Sequence, residues 1–223
     1  MSDLAANLRL LAWLSPAFPT GGFAYSHGLE WAVEQREIAD ADTLFGWMSD
    51  VLGHGAGRSD AILLRHAHRA AGDLDMLAEL AELGLATAPS LERRLEAAGQ
   101  GNAFARAARP WNDTLLAELA ARGGDIPYAV AVGALAGVAG VAEDFATSGA
   151  LQAFAANLIS AALRLVPLGQ TDGLAVLARL EPVMLAVASE TRSATLDDVG
   201  GFCFRSDIAA MRHETQYTRL FRS

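Results

Sequence analysis

Apolar positions along this chain recur at helical spacing. Leu4, Leu8 and Leu11 stand at i, i+4 and i+7, on one face of a helix. Pro16 and Pro19 interrupt it, and Gly21-Gly22 supplies a turn. A helix is expected to resume near 24 and run to about 37. Leu44, Phe45, Met48 and Leu52 form the next apolar stripe, which ends in the cluster Gly53, Gly55, Gly57. Ser59 or Asp60 reads as the cap of a helix over 61–71, and 73–85 is a further amphipathic segment. Pro89 suits the first turn of a helix through Leu91 and Leu95. Asn112 or Asp113 reads as the cap of a short helix ending at Gly123-Gly124. Pro127 opens a small-residue helix within 126–142, and Thr147 or Ser148 opens one running to Arg164. Pro167-Leu168-Gly169 closes that helix. A last long one, over 172–190, is kinked or split by Pro182. Residues 193–201 read as an exposed loop.

Composition strengthens the helical reading. Alanine, the best helix former and a poor strand residue, supplies 46 of 223 positions. Period-2 runs of valine and isoleucine are scarce. The expected fold is all-α, a single multi-helix domain over 1–201 with a C-terminal partner-docking tail over 202–223. That tail belongs to the same domain, and its order is expected to depend on a partner. The segment 126–142 is slightly short and only modestly hydrophobic for a membrane span, and it reads as a buried helix. It is suited to close packing within or between subunits.

Charge narrows the chemistry. All 17 basic residues are arginine; there is no lysine. That excludes a Walker A loop, a protein kinase and Schiff-base or pyridoxal-phosphate catalysis in their usual forms. The net charge of −9 and a pI near 5.0 argue against a nucleic-acid binder. Residues 202–223 carry four arginines against Asp207 and Glu214, a local +2 that leaves −11 on the rest. A single cysteine, Cys203, calls for no oxidising compartment, and the N-terminus shows no basic region or apolar signal core.

Candidate catalysts are few. His66 and His68 at i and i+2 point about 200° apart on a helix, so they share no ion there and read as solvent-facing beside Arg65 and Arg69. Cys203, with His213-Glu214 ten residues on, has the parts of a thiol triad. It lies between Phe202 and Phe204, however, and a small buried hydrophobe is the better reading. Two segments stand apart: SPAFPTGGFAYSHGLE at 15–30 and RSDIAAMRHETQYTRLFRS at 205–223. If the second is helical, His213, Tyr217, Leu220 and Phe221 share one face, with Arg212, Arg219 and Gln216 largely on another. Such a stripe either docks a partner or packs on the protein's own core; spacing favours neither.

At these segments the chain resembles the UreF family of urease accessory proteins. The N-terminal signature is matched by Ser15-Pro16, Pro19, Gly21, Phe23, Tyr25-Ser26 and Gly28-Leu29-Glu30, with His27 where the family often has Gln. The run from Ala161 to Gln170 matches an internal Arg-Leu, Gly-Gln signature. Asp207-Ile208, Met211, His213-Glu214, Gln216 and Arg219-Leu220-Phe221-Arg222-Ser223 match the C-terminal one.

The resemblance implies an all-helical, cytoplasmic, dimeric protein that is not an enzyme. It implies action in nickel insertion into apo-urease, bridging a scaffold accessory protein (D, or H in some bacteria) and a GTPase accessory protein (G), whose GTP hydrolysis it has been proposed to modulate. Nickel and GTP would be handled by the partners, with no cofactor or metal held here, and neither membrane nor nucleic acid would be bound. The partner-binding residues carried over are Phe23, Tyr25, Ser26, His27, Glu30, Arg164 and Gln170 on one side. On the tail they are Arg205, Met211, Arg212, His213, Glu214, Tyr217, Arg219, Phe221 and Arg222. Phe221 and Tyr217 are expected to anchor in a partner's pocket, and removal of everything after Asp207 to leave a folded body. The alternative function is a thiol or metal enzyme using Cys203 and His213.

Overall fold

A computed structural model describes residues 3–112, 114–122 and 124–223. Eleven α-helices appear among them, and no strand: α1 Asp3–Trp13, α2 Leu29–Glu34, α3 Ala41–His54, α4 Ala56–Arg69, α5 Leu74–Ala86, α6 Leu91–Ala107, α7 Leu115–Ala121, α8 Tyr128–Ala139, α9 Glu143–Ala162, α10 Gln170–Glu190 and α11 Phe204–His213. Local chemistry fixes many of the starts. Asp40 and Thr43 form a capping box before α3, Asp73 caps α5 and Ser90 caps α6. Asn112 Oδ1 accepts from the Thr114 and Leu115 amides ahead of α7. Asp113 and Gly123, named above as cap and terminus, lie outside the described residues.

The helices enclose two apolar cores. One is built on α1 and α4 to α8, the other on α2, α3, α9 and α10, with Cys203 and Ala209 of the tail. The pair α4 and α8 lies at the centre. A Cβ at Gly133 would sit 2.3 Å from Leu64 O, and one at Gly137 2.4 Å from His68 O. Glycine there lets two backbones touch, so the small-residue helix finds its partner within the chain. Among the described residues no helix is long and apolar enough to cross a membrane.

Several sequence expectations change. The stripe Leu4, Leu8, Leu11 is 60–69% exposed; α1 buries Ala6, Leu10 and Trp13 instead. The helix expected over 24–37 shrinks to α2, because His27 and Gly28 take left-handed backbone angles (φ 57° and 75°) ahead of it. Helix α4 begins at Ala56, which places Ser59 and Asp60 inside it, and Pro89 precedes the α6 cap. Helix α9 begins at Glu143. Thr147 and Ser148 sit in its interior and bond the carbonyls of Glu143 and Asp144. Helix α10 runs unbroken through Pro182.

His66 and His68 are half-buried, their Nε2 atoms 3.1 and 2.8 Å from the carbonyls of Ala194 and Val141. Beside them Arg65 is fully buried. It meets Glu143, Asp144, Thr191 Oγ1 and the Ala188 carbonyl, tying α4 to the start of α9 and the end of α10. The loop over 193–201 is largely exposed but pinned, with Arg58 donating to the Asp198 carbonyl at 2.7 Å.

Candidate functional site

The two unusual sequence segments meet. Helix α11 ends at His213, so the single-face arrangement of His213, Tyr217, Leu220 and Phe221 does not form. Instead residues 214–223 turn back across α2 and α6. Gly28 permits the close seating of α11 that precedes this turn: a Cβ there would lie 2.4 Å from the Ala210 amide nitrogen. The Ser26 amide donates to the Ser223 backbone oxygen and the Arg222 amide to the Ala24 carbonyl, both at 2.8 Å.

Carboxylates hold this arrangement from inside. Glu30, 8% exposed, accepts the Leu220 amide at 2.7 Å on Oε1 and the Phe221 amide at 2.9 Å on Oε2. His213 is fully buried, with Nδ1 2.6 Å from Glu92 Oε2 and Nε2 3.2 Å from Glu30 Oε2. Arg219 donates to Glu92 Oε1 at 2.7 Å. Glu214 reaches the first turn of α6, accepting the Leu91 amide at 2.7 Å, where an anion is favoured by the helix dipole.

The innermost group is Glu96, 1% exposed. It pairs with Arg93, accepts from Gln100 at 2.9 Å and from Ser223 Oγ at 2.6 Å, and lies 2.6 Å from His27 Nε2. Burial would raise its pKa; the Arg93 charge and the bonds from His27 and Ser223 outweigh it and bring it down to about 2. Burial, with the Arg93 charge beside it, pushes His27 down to about 4 against the pull of Glu96. His27 is therefore neutral at pH 7 and donates from Nε2. Next to it a cavity of about 70 Å³ is lined by Asp60, Arg93 and Asp207 among others. Burial lifts Asp60 to about 6 against the Arg93 charge, and raises Asp207 as well.

The remaining candidates divide. Phe221 is 4% exposed and lies under the Arg164 guanidinium, 4.3 Å from its ring centroid. It packs on the protein's own core, so reaching a partner's pocket requires the tail to lift. Arg164 also donates to the Phe23 carbonyl at 2.8 Å. Tyr25 is half-buried near Gly99. Gln170, exposed at the start of α10, joins the cluster through no hydrogen bond among the described residues. Outward stand Phe23 (71% exposed), Met211, Arg212, Arg222 and Tyr217, whose ring is fully in solvent. Arg205 pairs with Glu37 at 2.9 Å above Trp47.

Cys203 and His213 do not form a thiol–imidazole pair: both His213 ring nitrogens face glutamates, and burial pushes the Cys203 thiol up, away from the thiolate. Among the described residues no three His, Cys, Asp or Glu side chains are placed to hold a metal ion.

Sequence reading missed Glu92, Arg93 and Glu96. The reason is that α6 is turned over: its leucines, Leu91 and Leu95, are 61% and 58% exposed while its acids are inside. The available signal was Glu92, Glu96 and Gln100 at four-residue spacing, one polar stripe on one face.

Comparison with known proteins agrees with these features. The UreF family model matches residues 38–181. The urease accessory protein UreF of Bradyrhizobium sp. strain ORS 278 is 53% identical, covering 100% of this chain and 94% of that protein. Its counterpart from Methylorubrum populi is 51% identical over 97% of this chain and 98% of that protein. The first of these spans both terminal segments of the cluster, and the chain belongs to the UreF family of urease accessory proteins.

Proposed function

We propose that this protein is a non-catalytic assembly factor for urease, acting in nickel insertion into the apo-enzyme. It would bridge the scaffold accessory protein (D or H) and the GTPase accessory protein (G), and modulate GTP hydrolysis on the latter. Nickel and nucleotide belong to those partners, and the working form is a cytoplasmic homodimer. The observation that carries the reading is the split in the tail signature. Its acidic and imidazole groups lock the tail inward, while Phe202, Phe204, Ile208 and Met211, each 48–72% exposed, form an apolar ridge on the outside of α11. Arg205 and Arg212 flank that ridge. Exposed anchors beside guanidinium forks make a protein-docking surface, not a catalytic pocket.

This assigns scaffold docking to the outer face of α11 and the tail. The Phe23 turn, braced by Arg164, is the second surface, facing the GTPase. Co-purification of the three accessory proteins, with nickel-dependent urease activation as readout, tests the reading. It predicts that activation is lost without this chain and restored when it is added back. Full activation in its absence contradicts it.

A further inference from the structure

An open groove of about 530 Å³ runs between α2 and the end of α11. Its apolar lining is Trp31, Ile208 and Tyr217; its polar lining includes Arg212, Gln216 and Glu34. Two of the polar groups have an atom or head group with no protein partner among the described residues. Arg205 and Arg219 pair with Glu37 and Glu92, whereas Arg212 meets no carboxylate among the described residues. Gln216 donates from Nε2 to Glu34, but its Oε1 is buried with no donor. A guanidinium fork is matched by a carboxylate, and the aromatic and aliphatic lining by an apolar side chain. A basic ligand fits less well. Glu34 already accepts from Gln216, and the tail carries a net positive charge.

We propose that this groove receives a peptide segment of the scaffold accessory protein in which an Asp or Glu stands beside an apolar side chain. Arg212 holds the carboxylate, while Trp31, Ile208 and Tyr217 enclose the neighbour. The proposal rests on the tail-docking reading above and adds the chemistry that the tail recognises.

The test is the affinity of the full chain for that scaffold protein, measured by calorimetry, with melting temperatures recorded in parallel. Arg212→Glu is expected to weaken binding about tenfold or more, and Arg212→Lys, which keeps the charge but not the fork, by less. Tyr217→Ala and Ile208→Ser weaken it too. Arg106→Glu, the same charge change on the distal part of α6, stays within about twofold. Melting temperatures stay near wild type, because Arg212 is exposed and unpaired. Wild-type affinity in Arg212→Glu, or an equal loss in Arg106→Glu, overturns the groove while leaving scaffold docking intact. If the wild-type chain itself fails to bind the scaffold protein, both readings fall.

Discussion

Glu96 shows how much one buried carboxylate organises. It holds a guanidinium, an imidazole, an amide and a hydroxyl, drawn from α6, from the N-terminal turn and from Ser223. Removing its charge while keeping its shape leaves Arg93 buried and unpaired. Glu96→Gln is therefore expected to cost about 3–5 kcal/mol, read by chemical denaturation. The same groups set a pH dependence. His27, at 6.5 when unfolded and about 4 when folded, favours the folded state above pH 6.5; that share is lost as pH falls toward 4. Glu96, at 4.5 and about 2, adds a share lost between those values. Asp60, raised to about 6, has the opposite sign: its contribution is present below 3.8 and lost as pH rises through 6. The His27 loss and the Asp60 gain largely offset each other between 6.5 and 4, so wild-type stability should fall chiefly below 4.5. Asp40, Glu143, Asp144 and Asp198, also held low, share that limb, and in Glu96→Gln it should shrink by the Glu96 share. An acid limb unchanged in the variant contradicts the assignment.

Individual elements show where sequence reading succeeds and where it stops. Helix α3 was legible because one amphipathic stripe buries Leu44, Met48 and Leu52 and a strong cap starts it. Helices α1 and α6 misled because their most prominent leucines face outward while smaller or charged residues face in. Tertiary packing overrides hydrophobicity there: Ala6 fits the core beside α9, and the α6 acids face a tail that lies more than a hundred residues away. The fate of the tail stripe turned on where α11 ends, which spacing does not fix. Gly28, by contrast, is a single residue with a clear element-scale role. Gly28→Ala adds a Cβ against the Ala210 backbone at φ 75°. It should cost at least about 1–3 kcal/mol and speed amide exchange in α11 and residues 214–223 first. Uniform exchange across α4 and α8 instead would argue against a locally seated α11.

Truncation tests the tail as a unit. Ending the chain after Asp207 removes His213, Phe221 and Ser223, all buried, together with the amides that Glu30 accepts. A marked fall in melting temperature is expected, so lost partner binding in such a variant would not by itself map the docking surface. A truncated protein that melts like wild type would show that the tail adds nothing to the body. The point variants on the outer face separate docking from folding better.

For the whole molecule, the family was legible at the termini, outside the segment matched by the family model, and in the run from Ala161 to Gln170 inside it, while the rest of the body supplied mainly helical pattern. The fold joins those termini into one cluster, and the face it turns outward combines apolar anchors with arginines on an otherwise acidic protein. The proposed role for this chain is to link the scaffold and GTPase accessory proteins. The most direct measurement is size-exclusion chromatography with light scattering on the two partners, with nickel and GTP, with and without this chain. The account predicts one co-eluting species containing all three proteins, and separate partners when this chain is left out. Co-elution of the two partners without it, or no complex with it, would contradict the account.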